Sequence, residues 1–137
     1  MNSKMQSDPK WILICGSRYW KNDFQEPLIK LYNSLPANSI IVVGDATGVD
    51  DAAYKLAKER NFPVYKFTAF WNKYGGFAGP SRNSNMLDYA DEVHAFTDNF
   101  HRSKGTKDCV IQARKLQLPT YVFDLSKRNN RQRHNQQ

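Results

Sequence analysis

Five short apolar runs recur along the chain, each stopped by glycine or a polar residue, and apolar residues at helical spacing fall between them. Trp11-Ile12-Leu13-Ile14-Cys15 and Ser39-Ile40-Ile41-Val42-Val43 show no alternation, as expected of strands buried on both faces, and they end at Gly16 and Gly44. Val64 to Phe67, Glu92 to Phe96 and Thr120 to Phe123 read as three further strands. Phe24, Leu28, Leu31, Tyr32 and Leu35 share one face of a helix, with Pro27 tolerable in its first turn. Ala53, Leu56 and Ala57 mark a second helix over about 49–60. A long loop is expected over 68–79, then a helix opening at Pro80 and running to about Tyr89. Cys109, Val110, Ala113 and Leu116 mark the last major helix. Strand and helix alternate throughout. The fold class is therefore α/β, a Rossmann-like open parallel sheet of about five strands with helices on both faces.

A length of 137 residues, 40% hydrophobic, suits one packed domain. Its expected extent is 10–125, between a flexible N-terminus (1–9) and a basic disordered tail (126–137). No apolar run approaches the roughly 20 residues of a membrane span, and the first ten residues do not resemble a secretion signal. The expectation is a cytoplasmic protein, or one of the host cytoplasm if phage-encoded, without a membrane partner. The net charge of +7 invites a nucleic-acid reading, but Lys127, Arg128, Arg131 and Arg133 in an acid-free tail supply more than half of it. That tail reads as a solubilising segment or as an auxiliary nucleic-acid contact. Cys15 and Cys109 read as reduced core residues, and without close Cys/His spacing neither a metal nor a cofactor is expected.

In such sheets ligands bind beyond the carboxyl ends of the strands, so the loops there carry the chemistry. Gly16-Ser17-Arg18 offers close backbone approach, a hydroxyl and a planar fork for phosphate, or is an ordinary turn. Gly44-Asp45-Ala46-Thr47-Gly48-Val49-Asp50 leads into a helix whose N-terminal N–H groups favour an anion. Asp50 could hold a ribose hydroxyl or simply complement the helix dipole. In the long loop Trp71 and Tyr74 could stack on a base or pin the loop as a local cluster. It leads through Gly79 to Arg82 and Asn83, and an arginine in a first helical turn is costly unless an anion offsets it. Ser103, Gly105 and Thr106 form a phosphate cradle or a helix cap. Asp98 follows the fourth strand and could face the same ligand. His94 reads as a packing residue.

Together, Gly16-Ser17-Arg18 with Trp20, Gly44-x-Ala46-x-Gly48-x-Asp50, Trp71-x-x-Tyr74-Gly75, Ala78-Gly79-Pro80-x-Arg82-Asn83-x-x-Met86 and Gly105-Thr106 resemble the SLOG superfamily. The resemblance is to its YspA-like, cpYpsA-related branch and runs from about Lys10 to Asp124. It implies kinship with LOG-type nucleotide phosphoribohydrolases and with DprA, and a ligand such as a nucleoside monophosphate, NAD or ADP-ribose. The hydrolases pair an arginine with a glutamate in Gly-Gly-x-Gly-Thr-x-x-Glu. Arg82 matches the arginine, whereas Cys109 stands at the glutamate position with Asp108 beside it. Arg82 and Asp108 are thus the candidate catalytic residues, with Asp50 an alternative carboxylate. Gly44 is followed by Asp45 where the branch usually has glycine or alanine, which puts a negative charge near the expected phosphate site. Three functions are open: a nucleotide-binding sensor or processing protein, a nucleoside 5′-monophosphate phosphoribohydrolase, and a nucleic-acid-binding accessory. A homo-oligomer is compatible with each.

Overall fold

The computed structural model describes residues 8–127. Its centre is a parallel sheet of β1 (Trp11–Gly16), β2 (Ile40–Val43), β3 (Val64–Lys66), β4 (Glu92–Thr97) and β5 (Thr120–Asp124), in the order β3-β2-β1-β4-β5. Five helices connect them: α1 (Gln25–Ser34), α2 (Val49–Glu59), α3 (Trp71–Tyr74), α4 (Ala78–Leu87) and α5 (Lys104–Lys115). This is the Rossmann-like arrangement expected from the alternation of patterns. The strand order reverses beside β1, whose neighbours are β2 on one side and β4 on the other.

Alternation along β1 divides the core in two. Ile12 and Ile14 join Phe24, Leu28, Tyr32, Val49, Ala53 and Ala57 under α1 and α2. Leu13 and Cys15 join Met86, Leu87, Cys109, Val110 and Ala113 under α4 and α5. Every side chain from Ile12 to Cys15 is buried, which is why that run shows no polar alternation. Both cysteines are buried free thiols. On the α1 face, the Tyr32 hydroxyl donates to the Ala53 carbonyl at 2.6 Å, locking α1 to α2. Burial pushes the Tyr32 phenol well above its ordinary value.

The structure departs from the sequence pattern mainly between β3 and β4. Residues 71–77, expected as loop, form the single turn α3 followed by a 3-10 turn (Gly75–Phe77). α4 then begins at Ala78, two residues before Pro80. Proline is accommodated there because the first N–H groups of a helix have no intrahelical acceptor. Among the described residues no helix is long and apolar enough to cross a membrane. Of the expected N-terminal segment 1–9 and basic tail 126–137, residues 1–7 and 128–137 lie outside the described residues. Ser126 and Lys127, at the head of that tail, are helical, and the Asp124 carboxylate accepts from both the N–H and hydroxyl of Ser126.

Candidate functional site

From the paired carboxyl ends of β1 and β4 the chain leaves towards opposite faces of the sheet, and a cavity of about 530 Å³ opens there. Its floor is Cys15, Gly16 and Ser17. The backbone fixes that floor first. Ser17 N–H donates to Phe96 O at 2.9 Å, and Val49 N–H donates to Ser17 O at 3.0 Å. Gly48 makes the second contact feasible: it adopts φ +76°, and a Cβ there would stand 2.4 Å from Ser17 O. Ser17 Oγ donates to Asp98 Oδ1 at 2.7 Å and accepts from Asp98 N–H at 3.0 Å, closing β1 onto the loop after β4.

The third wall is the start of α5, with Ser103 as its N-cap residue. Ser103 Oγ donates to Asn99 O at 2.8 Å and lies 2.6 Å from Thr97 Oγ1, so its hydroxyl anchors the preceding loop. Ser103, Lys104, Gly105 and Thr106 all line the cavity, with Arg18 and Arg102 adding two guanidinium groups. A helix N-terminus with three basic side chains around it is a field suited to an anion.

Arg82 forms the remaining side together with Ala46 and Asp50. Its Nη1 lies 2.6 Å from Asp45 Oδ1, and its Nε donates to Asn83 Oδ1 at 3.2 Å. Gly44 permits this grouping. A Cβ at Gly44 would stand 2.7 Å from both Arg82 Nη1 and Asp50 Oδ2, so any larger residue would part them. Asp50 is 4% exposed and accepts from Ala46 N–H at 3.1 Å. Burial pushes its carboxyl up to about 7, against the opposing pull of Arg82 and the Ala46 N–H bond. Contact with Cys109, together with burial, holds the neighbouring Cys15 thiol well above the ordinary range, so it lines the floor as a thiol and not a thiolate.

The structure thus brings Gly16, Ser17, Arg18, Ala46, Asp50, Arg82, Asn83, Ser103, Gly105 and Thr106 into one lining. Gly44, Asp45 and Gly48 lie behind it as supports. Trp71 and Tyr74 stand on α3 outside it, both well exposed, and Gly79 packs under the Trp71 ring. Asp108 is also outside: its Oδ2 accepts from Asn83 Nδ2 at 3.0 Å and Gln112 Nε2 at 2.8 Å, tying α4 to α5. Arg82 is the fifth residue of α4 and not in its first turn, so ion pairing with Asp45, not a helix-end anion, accounts for its placement. The lining also includes Tyr19, Arg102 and Lys104, which the sequence reading did not select. Their adjacency to Arg18 and Ser103 was the available signal. His94 lies away from the cavity, 2.6 Å from Glu92 and stacked on Tyr121.

No protein-family model and no curated protein matches the chain. Among solved structures it is similar to DNA processing protein A (DprA) from Streptococcus pneumoniae, at TM-score 0.70 and 20% identity. The fold is shared. The match covers 83% of this chain and 50% of that one, so the chain spans about half the length of the structure it resembles. At fold level this agrees with the relation to DprA expected from the strand-end motifs.

Proposed function

We propose that the strand-end cavity binds a nucleotide or nucleotide-derived ligand of the nucleoside monophosphate, NAD or ADP-ribose type, and that the chain is a SLOG domain of the YspA-like branch spanning 10–125. The observation that carries this reading is the convergence of Arg18, Arg82, Arg102 and Lys104 with the α5 N-terminus around one cavity of about 530 Å³. That volume suits a small ligand held by a few placed polar groups. Arg18, Arg102 and α5 would hold phosphate, Asp98 would accept from a ribose hydroxyl, and the exposed ring of Tyr19 at the rim would stack on the base. Titration calorimetry with AMP, NAD and ADP-ribose tests it. At least one is expected to bind, with Arg18→Ala and Arg82→Ala each weakening it tenfold or more. Absence of binding at millimolar ligand by folded protein would remove the reading.

A second reading is hydrolysis of a nucleoside 5′-monophosphate to free base and ribose phosphate. It is favoured by Asp50, a cavity carboxyl whose burial places its titration at about 7, the range suited to moving a proton at neutral pH. In this reading Asp50 takes the role considered for Asp108. Release of free base by the wild type, lost in both Arg82→Ala and Asp50→Asn, would support it. Binding without turnover leaves the first reading alone.

A further inference from the structure

One cation stands between two carboxylates on the Arg82 side of the cavity. Asp45 Oδ1 is 2.6 Å from Arg82 Nη1, and Asp50 Oδ2 and Arg82 Nη1 both reach within 2.7 Å of the same point above Gly44. With both aspartates ionised, this group of three carries a net negative charge on one wall of the cavity that an anionic ligand would occupy. The two carboxylates are not equally free to yield. The Asp45 side chain retains 29% exposure, so it can turn towards water while keeping its charge. Asp50 is only 4% exposed, held by Ala46 N–H on one oxygen and fixed in the first turn of α2, so its carboxylate cannot turn out into water. A buried carboxylate that cannot move sheds its charge by taking a proton.

We propose that the cavity admits its anion together with one proton carried on Asp50, and that Asp45 is the internal counter-ion against which the anion competes for Arg82. The proposal rests on the reading of the cavity as an anion-binding nucleotide site and names how that site is regulated. The charges that weigh most on Asp50 come from three neighbouring segments, while Arg18, Asp98, Arg102 and Lys104 line the same cavity. Arg82 from α4 and Lys66 from β3 favour its ionised form, whereas Asp45 from its own loop disfavours it. The buried Cys15 thiol from β1 adds no charge. An incoming anion adds negative charge to that balance and drives protonation further. Because Asp50 titrates near neutrality before any anion adds its charge, the proton is already present in mildly acidic solution and must be taken up in mildly alkaline solution.

The probe is ADP-ribose, whose diphosphate charges do not titrate between pH 6 and 9. Binding is measured calorimetrically on the full chain in two buffers of different ionisation enthalpy. At pH 8 uptake approaching one proton per ligand is expected, falling towards zero at pH 6, with affinity dropping towards tenfold per pH unit above about 7. Asp50→Asn retains the acceptor for Ala46 N–H; it is expected to bind without proton uptake, independently of pH, and more tightly than wild type at pH 8. Asp45→Asn is expected to raise affinity several-fold at every pH. Wild-type binding without proton uptake overturns the proposal and leaves the nucleotide reading standing. So does uptake that persists in Asp50→Asn. Folded wild type that binds none of AMP, NAD, ADP-ribose and inorganic sulfate at millimolar concentration overturns the nucleotide reading and this proposal together.

Discussion

Arg82 shows how little of a residue's role lies in its own chemistry. Its guanidinium is oriented by Asp45 and Asn83, and it shares the space above Gly44 with the Asp50 carboxyl only because that residue carries no Cβ. The same dependence on backbone shape appears at the far end of α5. There Gln117 adopts φ 61° while Leu118 N–H closes the helix on Ala113 O at 3.1 Å. A left-handed residue at that position strains any side chain with a Cβ, and glycine relieves it at some cost in unfolded-chain entropy. Gln117→Gly is therefore expected to raise unfolding free energy by about 0.5–1 kcal/mol. Urea denaturation checks this; a loss of stability would mean that the exposed glutamine makes contacts outweighing the strain.

Between elements, the cavity depends on α4 and α5 keeping their separation. Asn83 is 2% exposed and its Nδ2 donates to Gly105 O at 3.1 Å and to Asp108 Oδ2 at 3.0 Å. Gln112 extends the tie to Pro80 O and to Ser84. Thus Asp108 serves the position of the α5 N-terminus, and through it the presentation of Gly105 and Thr106 to the cavity. Asn83→Ala would leave Arg82 Nε, Gly105 O and one Asp108 contact without their shared partner. Such a loss inside a buried polar cluster is expected to cost about 2–3 kcal/mol. Chemical denaturation measures it, and a change below about 0.5 kcal/mol would show that water restores the contacts.

For the whole molecule, Asp50 couples the site to folding. Its folded-state titration near 7 lies above the ordinary aspartate value of 3.8, so between these values the folded protein holds a proton that the unfolded chain has lost. Stability contributed by the protonated form therefore declines as pH rises from about 4 to about 7, and the penalty stays constant above that. Asp50→Asn is expected to remove this slope. The stability difference, variant minus wild type, should grow across that window towards a ceiling of roughly 4 kcal/mol. Parallel stability curves for the two proteins between pH 4 and 8 would contradict the buried-acid assignment. At the other edge of the sheet, burial would raise Glu92, but hydrogen bonds from His94 and Lys10 outweigh it and hold the carboxyl below its ordinary value. That pair works in the opposite sense and favours the folded state above acidic pH.

The order of strands and helices was legible in the sequence because burial on both faces imposes unbroken apolar runs on β1 and β2, and one-sided burial imposes helical spacing on α1 and α5. So was the placing of Gly16, Ser17 and Arg18 at the end of β1 and of Gly105 and Thr106 at the start of α5, since local turn and cap chemistry marks those positions. α3 was not legible, because a single turn buried on no face leaves no period to read. Nor was the parting of Asp50 and Asp108. Their local sequence makes each an acid near a helix start, and only the packing of α4 against α5 engages Asp108 with Asn83 and Gln112. The fold likewise encloses Asp50 beside Arg82. Local pattern fixes which backbone forms, but the environment of a charge is set by residues distant in the chain, and so its titration and reach are decided by tertiary structure alone.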